Sequence, residues 1–376
     1  MVSRIYDTSL LEKLKANKLL LVKGPKHSQK SNYIASLIDT FSTVKIIHCE
    51  DKKIKTALKT VTVENLKEVF GEEKYILLKE AQSIEALQEI LELVLFSGQF
   101  SNNVVLSCSF DPIVIDELME ALKMEGAIMT LYPPLFQELA NATGIVQFDK
   151  ELETRLIFGN YPQVLESEQP EVELNTIVEK TIFTHLNPSE RINKGGKLRK
   201  MLQYMSFELG NPLSYNAIGD YADLDNETVE RYIDLLVRSF VLIRIPSFYN
   251  DHKYELKKTH TFYFVDNGVR NALIKNFNEP GLRIDIDTLW KNWLISEKIK
   301  WNSFLKNKVN YYFWRTHTKQ QIDFMEVSGE NILAYKTIWD KRKKPKFPAS
   351  FKTYYPKATT HSLNRSTYWA FLSKKN

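Results

Sequence analysis

The stretch from residue 19 to residue 31 constrains the fold of this chain most. A mostly apolar run, 19–23, leads into Gly24-Pro25-Lys26-His27-Ser28-Gln29-Lys30-Ser31, and a helical pattern follows. A phosphate-binding loop needs glycines that let backbone N–H groups turn inward, a lysine for the phosphate charge and a hydroxyl for Mg²⁺. Gly24, Lys30 and Ser31 meet these needs, and their place at a strand-to-helix junction predicts such a loop.

Gln29 is the departure within this loop, because it stands where the motif has its second glycine. If the backbone φ at that position is positive, a glutamine there costs on the order of 1 kcal/mol or more. The sequence leaves two alternatives open. The loop either keeps its shape at this cost, or it is wider and binds no phosphate.

The first 140 residues alternate short apolar runs with amphipathic ones, which predicts an α/β domain with a parallel, doubly wound sheet. We expect strands at 19–23, 44–49, 75–78, 103–108 and 127–131. Helical patterns lie between them, at 31–41, 84–96 and 112–124, the last opened by a cap-like Asp111-Pro112 pair.

The third predicted strand ends in Lys79-Glu80, where a Mg²⁺-dependent nucleotide site ends in Asp-Glu. Glu80 is a candidate catalytic base, whereas Lys79 replaces the metal-ordering aspartate. Two orientations of Lys79 stay open: toward the phosphates, where it would repel a metal and neutralise phosphate charge, or toward solvent. ATP is therefore a candidate ligand, the use of Mg²⁺ is undecided, and we expect hydrolysis to be impaired.

Length and composition set broader bounds. A chain of 376 residues with 43% hydrophobic and 26% charged residues is expected to fold into two or three domains. No apolar run approaches the roughly 20 residues that span a bilayer, and no signal peptide is evident, so we expect a cytoplasmic protein with no membrane partner. Cys49 and Cys108 are too few for a disulfide framework, and we expect both to be buried.

Three further segments follow the first 140 residues. Residues 141–195, with turn signals at Gly159-Asn160-Tyr161-Pro162 and Asn187-Pro188, are predicted to form a helical lid or connector. Residues 196–260 carry helical patterns at 214–222 and 227–240 and a strand at 241–246, which is typical of a helix-turn-helix with a wing. Residues 261–376 combine strands at 311–315 and 322–327 with a helix at 289–301, an α+β pattern.

The second helix of the helix-turn-helix is mainly acidic. It has Glu227, Glu230 and Asp234 beside Arg231 and Arg238. Carboxylates are unfavourable beside DNA phosphates. We therefore favour a protein-packing role for this module over base reading.

The C-terminal segment is basic. Residues 301–376 hold 15 Lys/Arg against 4 Asp/Glu, a net charge of +11 that leaves −6 for the rest. The densest run is Lys341, Arg342, Lys343, Lys344 and Lys346, and it lies among aromatic residues: Tyr335, Trp339, Phe347, Phe351, Tyr354 and Tyr355. This mixture suits phosphate contacts with base stacking, so nucleic acid is a candidate partner, and a solvated basic loop is the alternative.

The order of these motifs resembles a prokaryotic family of AAA-type ATPases that end in a winged helix and a restriction-endonuclease-like domain. The resemblance covers nearly the whole chain. It rests on the phosphate loop and on several later stretches: Leu77-Leu78-Lys79-Glu80-Ala81-Gln82, the strand with Ser107 in a sensor-like position, Leu131-Tyr132-Pro133-Pro134-Leu135-Phe136-Gln137-Glu138, Gly159-Asn160-Tyr161-Pro162, Asn211-Pro212-Leu213-Ser214-Tyr215, Val229-Glu230-Arg231-Tyr232-Ile233-Asp234-Leu235-Leu236, and Phe262-Tyr263-Phe264-Val265-Asp266-Asn267-Gly268-Val269-Arg270.

The resemblance also marks departures. The family's Gly-Arg before its last ATPase strand is replaced by Glu125-Gly126-Ala127, which removes a candidate catalytic arginine. In the nuclease-like domain Asp323 and Lys336 match the family's Asp…Glu-x-Lys signature. Ala334 takes the place of its glutamate, and Lys291 stands where the family often has another. We therefore expect no metal site and no nuclease activity there.

Three functional hypotheses follow. The first is a divergent AAA-type protein, impaired in hydrolysis, that acts as a nucleotide-binding, regulatory or scaffold protein. The second is a working ATPase with unusual metal use, coupled to nucleic acid. The third is a nucleic-acid-binding protein that acts through its basic C-terminal loop.

Overall fold

The computed structural model describes residues 4–111, 116–124, 127–184, 195–249 and 259–373. These residues form two compact units. The first comprises Met1–Pro133 with Arg238–Phe240, and the second comprises Pro134–Val237 with Val241–Asn376. The predicted Asp111-Pro112 cap, the Asn187-Pro188 turn and the Glu125-Gly126 pair fall wholly or partly outside the described residues.

The first unit is built on a parallel sheet with strand order β2-β3-β4-β1-β5. Its strands are β1 (Leu19–Lys23), β2 (Val44–His48), β3 (Tyr75–Lys79), β4 (Asn103–Cys108) and β5 (Ile128–Thr130). Its helices are α1 (Asp7–Ala16), α2 (Lys30–Ile38), α3 (Lys52–Ala57), α4 (Val63–Phe70), α5 (Leu87–Phe96) and α6 (Asp116–Met124), with a 3₁₀ turn at Ala81–Ser83. The predicted parallel α/β architecture is confirmed.

The central strands have the composition that a parallel sheet covered on both faces requires. Leu19 to Val22, Tyr75 to Leu78 and Val104 to Cys108 are buried without interruption. The predicted bounds agree with the observed ones for only two of the five strands. The edge strand β5 was predicted at 127–131 and is two residues shorter. Cys49 and Cys108 are free and buried, as predicted.

The second unit contains two sheets. An antiparallel sheet has the order β6-β8-β7, and a mixed sheet has the order β12-β11-β10-β9, with β11 and β12 parallel. The strands are β6 (Pro212–Leu213), β7 (Leu242–Pro246), β8 (His260–Phe264), β9 (Asn310–Arg315), β10 (Gln321–Ser328), β11 (Asn331–Thr337) and β12 (Thr359–Leu363).

Helices make up most of the remaining described residues of this unit. They are α7 (Phe136–Thr143), α8 (Ile145–Phe158), α9 (Pro162–Leu165), α10 (Pro170–Val178), α11 (Gly195–Phe207), α12 (Tyr215–Ala222), α13 (Asn226–Arg238), α14 (Asn267–Leu273), α15 (Ile286–Leu305), α16 (Ala349–Tyr354) and α17 (Tyr368–Ser373). A π turn spans Glu179–Thr184 and a 3₁₀ turn spans Pro280–Leu282.

Two motifs that are distant in sequence meet in this unit. The Asp266 carboxylate accepts hydrogen bonds from the backbone N–H groups of Asn160 and Gly268, each at 2.8 Å. A Cβ atom on Gly159 would lie 1.9 Å from Asp266 Oδ1, so only glycine fits there. The Gly159-Asn160 turn is therefore fixed by the cap of α14.

Within the described residues, no helix is long and apolar enough to cross a membrane.

Candidate phosphate-binding site

The phosphate loop lies where three strands of the first unit end. β4 pairs with β1 on one side and with β3 on the other, so the carboxyl ends of these strands form one edge of the sheet. Ligands of open α/β sheets bind at this edge. The loop that follows β1 leads there directly into α2, whose first residues are Lys30 and Ser31.

The loop keeps a strained backbone. Gln29 has φ 58° and ψ 20°, the left-handed conformation that favours glycine, and His27 has φ 62°. Gly24 is required for a different reason: a Cβ atom there would lie 1.9 Å from the carbonyl oxygen of Leu131. The glutamine thus adopts the positive φ of a glycine position, at the energetic cost inferred from the sequence.

Lys30 is buried at the centre of the site. Its Nζ donates to Ser109 Oγ at 2.6 Å and to the carbonyl oxygen of Pro25 at 3.2 Å, and it lies 3.9 Å from Glu80 Oε1. Burial is the main cause of a lowered pKa at Lys30. The attraction of Glu80 opposes this effect, and repulsion from Lys26 and Lys79 adds to it.

Glu80 is held by hydrogen bonds from two neighbours. Its Oε1 accepts from Ser109 Oγ at 2.7 Å and its Oε2 accepts from Gln82 Nε2 at 2.8 Å. Burial raises the pKa of this carboxyl group, but the Lys30 ammonium and these hydrogen bonds outweigh burial and leave the pKa below its ordinary value. Glu80 is therefore ionised in the neutral pH range.

The hydroxyl group expected to bind Mg²⁺ contacts another hydroxyl. Ser31 Oγ lies 2.8 Å from Ser107 Oγ, which joins α2 to the sensor-like position on β4. Ser107 is in turn the registered neighbour of Lys79 on β3. Because paired residues of adjacent parallel strands project to the same face, Lys79 lies on the α2 side of the sheet.

Lys79 is partly buried and forms no ion pair within the described part of the chain. Its ammonium group is the smallest of the contributions that lower the pKa of Lys30, after burial and Lys26. Lys26 is close enough to act on the same group, and its Nζ lies 3.0 Å from Glu50 Oε1. The strand register places Lys79 on the α2 side of the sheet, and its orientation toward a bound phosphate stays a prediction.

Sequence reasoning missed three members of this site. Gln82 ends the Leu77-Leu78-Lys79-Glu80-Ala81-Gln82 stretch and Ser109 directly follows β4, and the Ser109 N–H donates to Gln82 Oε1 at 3.2 Å. Lys26 stands in the loop itself. The available signal was their position just after a buried strand or just after Gly24, at the edge where ligands bind.

The nuclease-like residues lie in the second unit, on β10 and β11. Asp323 Oδ1 is 3.1 Å from Lys291 Nζ, and Asp323 Oδ2 accepts the backbone N–H of Thr337 at 3.0 Å. Lys336, one residue before Thr337, forms no ion pair among the described residues. Ala334 is fully buried. The remaining carboxylate is therefore neutralised by an ammonium group.

The surroundings of the basic loop between β11 and α16 contradict the base-stacking part of the nucleic-acid interpretation. Lys341, Arg342, Lys343, Lys344 and Lys346 are exposed as expected. The predicted stacking residues are not free, since Tyr335, Phe351 and Tyr355 are buried, and Phe347 and Tyr354 pack against the same core cluster. Trp339 packs edge-on against Trp290, and the Arg365 guanidinium covers its ring at 4.4 Å.

The comparisons with known proteins bear on both units. Residues 16–140 match the family model of an AAA domain. This part of the chain is similar to an AAA domain. Residues 149–280 match the model of a domain of unknown function, DUF8612. The segment that matches the AAA domain includes the phosphate loop, Lys79, Glu80 and the Ser107 strand.

Other similarities are more distant. An uncharacterized protein of Haemophilus influenzae is 23% identical over 219 residues, which is 54% of this chain and 53% of that protein, so the chain spans about half the length of this curated relative. A Walker-type ATPase of Pyrococcus abyssi is 13% identical with a TM-score of 0.47, over 73% of this chain and 96% of that one. AMPPCP-bound DnaA from Aquifex aeolicus is 13% identical with a TM-score of 0.27, over 60% and 84%.

Proposed function

We propose that this chain is an AAA-type nucleotide-binding protein that is impaired in hydrolysis and acts as a regulatory or scaffold protein. One observation carries the proposal. Lys30 and Ser31 occupy the start of α2 at the ligand-binding edge of the sheet, while Lys79 occupies the β3 position on the same face.

Phosphate binding is supported by the state of Lys30. Its ammonium group is buried, and its two short contacts are with neutral oxygens, those of Pro25 and Ser109. A phosphate oxygen carries negative charge, and hydrogen bonds to charged acceptors are about twice as strong as neutral ones. An incoming phosphate group can therefore replace these acceptors favourably.

Impaired hydrolysis is supported by the neighbours of Glu80 and Ser31. Phosphoryl transfer depends on charge neutralisation and on a positioned nucleophile. The Glu80 carboxylate is engaged by Ser109 and Gln82, and the Ser31 hydroxyl is engaged by Ser107. Neither group is arranged to order a metal ion or a water molecule.

The test is calorimetric titration with ATP in two buffers, one with EDTA and one with Mg²⁺, together with a phosphate-release assay. We expect binding in at least one buffer, and a loss of about 100-fold in Lys30→Ala. Lys18→Ala is the matched control, because Lys18 also donates to a carbonyl group, that of Phe100 at 2.6 Å, but precedes β1 at the opposite end of the strand. Absence of binding in both buffers would refute the proposal.

An active ATPase is the alternative, and Glu80 is the observation that favours it. Turnover that needs Mg²⁺ and disappears in Glu80→Gln would establish that activity and contradict impaired hydrolysis.

A second candidate function rests on the anchoring of the basic loop. Asn364 Nδ2 donates to the carbonyl oxygens of Lys341 and Lys343, at 3.2 and 3.0 Å, and Ser362 Oγ donates to that of Pro345 at 3.0 Å. These bonds fix the backbone while the charged side chains project outward. We propose that this loop contacts nucleic-acid phosphates without base stacking.

Salt dependence tests this second function. Replacing Lys341, Lys343 and Lys344 with Gln should lower the slope of log affinity against log salt by about 2 to 3 units for DNA or RNA. The control replaces Lys52, Lys53 and Lys55, which are exposed on or beside α3, and should leave the slope unchanged. Equal slopes for wild type and the loop variant would exclude the function.

We also propose that residues 196–260 form a winged helix that binds protein. The elements α11, β6, α12, α13, β7 and β8, with the sheet order β6-β8-β7, support this arrangement. On α13 the exposed side chains include Glu227 and Glu230, and Asp234 is paired with Arg244 at 2.7 Å. Charge reversal at Glu227 and Glu230 should abolish partner capture without changing DNA affinity. Partner capture that the reversal leaves unchanged would exclude protein binding by this face.

A further inference from the structure

A magnesium site of the usual kind does not fit the residues of the phosphate loop. Mg²⁺ prefers an octahedral shell of oxygen ligands, with one or two carboxylates beside the phosphate oxygens. At the β3 position that faces α2, this chain has Lys79. Ser31 Oγ is hydrogen-bonded to Ser107 Oγ, and the nearby Glu80 carboxylate accepts hydrogen bonds from Gln82 and Ser109. Across the described residues, no group of three or more His, Cys, Asp or Glu is placed to hold a metal ion.

The same residues fit a polyphosphate anion. Lys30 begins α2 and Lys79 lies on the α2 side of the sheet, and the Lys26 and Lys79 ammonium groups both lower the pKa of Lys30. The loop backbone is left-handed at His27 and Gln29, the kind of conformation from which anion-binding nests of N–H groups are built. The buried Ser28 Oγ has no hydrogen-bond partner among the described residues and offers a further donor within the loop.

We infer that the Lys79 ammonium stands in for the metal ion, so that this site binds the metal-free polyphosphate of a nucleotide and discriminates against its magnesium complex. The inference rests on the proposed nucleotide-binding function and specifies its ligand. A divalent cation held by the β- and γ-phosphates would lie against a lysine rather than an aspartate, and like charges repel at short range. The free anion places its negative charge against that lysine instead.

The experiment compares ATP binding in EDTA with binding in excess Mg²⁺, for wild type and three variants. Wild type should bind roughly tenfold more tightly in EDTA. Lys79→Asp should reverse this order, because it restores an acid at the metal-ordering position. Lys79→Gln should bind ATP with similar affinity in EDTA and in Mg²⁺. This variant still tests the inference if Lys79→Asp fails to fold.

Lys74→Asp is the charge-matched control. Lys74 is exposed just before β3, at the strand end away from the loop, so the variant should keep the wild-type order. Inorganic tripolyphosphate should compete with ATP in EDTA, because the recognised group is the phosphate chain.

The outcomes separate this inference from the proposed function. Absence of ATP binding in both buffers refutes the nucleotide-binding proposal itself. Binding that is tighter in Mg²⁺, or an order of affinities that Lys79→Asp leaves unchanged, overturns the inference while nucleotide binding stands.

Discussion

In each unit a lysine stands where the family that the sequence resembles has an acid, Lys79 in the first unit and Lys291 in the second. The two lysines have different neighbours. In the second unit, Lys291 Nζ lies 3.1 Å from Asp323 Oδ1 and neutralises the one remaining carboxylate. In the first unit, Lys79 forms no ion pair within the described residues and adds its charge to that of Lys26 and Lys30. The first site therefore keeps excess positive charge, whereas the second is a closed ion pair.

The contrast distinguishes two consequences of having a lysine in place of an acid. A lysine that pairs with an acid, as Lys291 does with Asp323, forms a structural ion pair in which the carboxylate is already neutralised. Under the inference above, a lysine without an acid partner, as Lys79 is among the described residues, disfavours a metal ion and favours an anion. The neighbours of the new ammonium group, rather than the loss of the acid, decide whether a ligand can still bind.

Gly24→Ala should have the largest effect on the first site and none on the second. A Cβ atom there would lie 1.9 Å from the Leu131 carbonyl oxygen, and backbone atoms cannot move aside without disturbing β1 and β5. We expect a loss of about 3 kcal/mol or more in unfolding free energy, measured by denaturant titration, and loss of ATP binding. Gly98→Ala, where nothing lies within 4 Å, is the control and should cost about 1 kcal/mol. A normal melting profile for Gly24→Ala would contradict the loop geometry.

Lys291→Met should destabilise the second unit by about 3 kcal/mol, because it leaves the Asp323 carboxylate largely buried without its partner. The measurement is chemical unfolding at neutral pH. Adding Asp323→Asn to the variant should recover most of the loss, since no buried charge then remains. If Lys291→Met is as stable as wild type, the Lys291–Asp323 ion pair does not neutralise a buried charge at this site.

Glu80→Gln should cost roughly 2 kcal/mol at neutral pH, with a dependence on pH that reports its ionisation. The pKa of Glu80 is lowered in the folded protein, so its ionisation contributes stability above the unfolded pKa, near 4.5, and that contribution is lost as pH falls through the folded pKa. Thermal unfolding between pH 3 and pH 8 should show the difference from wild type constant at high pH and shrinking in acid. A difference that does not change with pH would mean that the Lys30–Glu80 attraction is absent.

Lys79→Met should have the smallest effect on stability, within about 0.5 kcal/mol, because the described residues offer Lys79 no acid to lose. This variant is the direct counterpart of Lys291→Met and is measured in the same unfolding assay. A loss as large as that of Lys291→Met would remove the contrast between the two sites.

Local sequence patterns predicted much of the first unit. The apolar runs of β1 and β4 gave correct bounds, because central parallel strands are buried on both faces and end where polar residues begin. The motif identified Gln29 as the position in question but left two loop shapes open, and the structure has the positive φ of the glycine position. These features depend on residues close together in the chain, so a single sequence contains them.

Contacts between residues that are distant in the sequence could not be predicted from local sequence patterns. The contact of Lys30 with Ser109 depends on the placement of β4 beside β1, and the Lys291–Asp323 pair joins α15 to β10. The aromatic residues near Lys341 were misinterpreted for the same reason. Their spacing in the sequence resembled a stacking surface. In the structure, Phe351 and Tyr355 belong to a buried core cluster, Phe347 and Tyr354 pack against that cluster, and Trp339 packs against Trp290.

The most direct test of the account is a diffraction structure of the protein crystallised with ATP in the presence of Mn²⁺, with the metal located by its anomalous signal. We predict phosphate oxygens against the Lys30 and Lys79 ammonium groups and no manganese peak beside Ser31. A manganese ion bound to Ser31 Oγ and to the phosphates, with Lys79 turned away, would contradict the replacement of the metal by lysine.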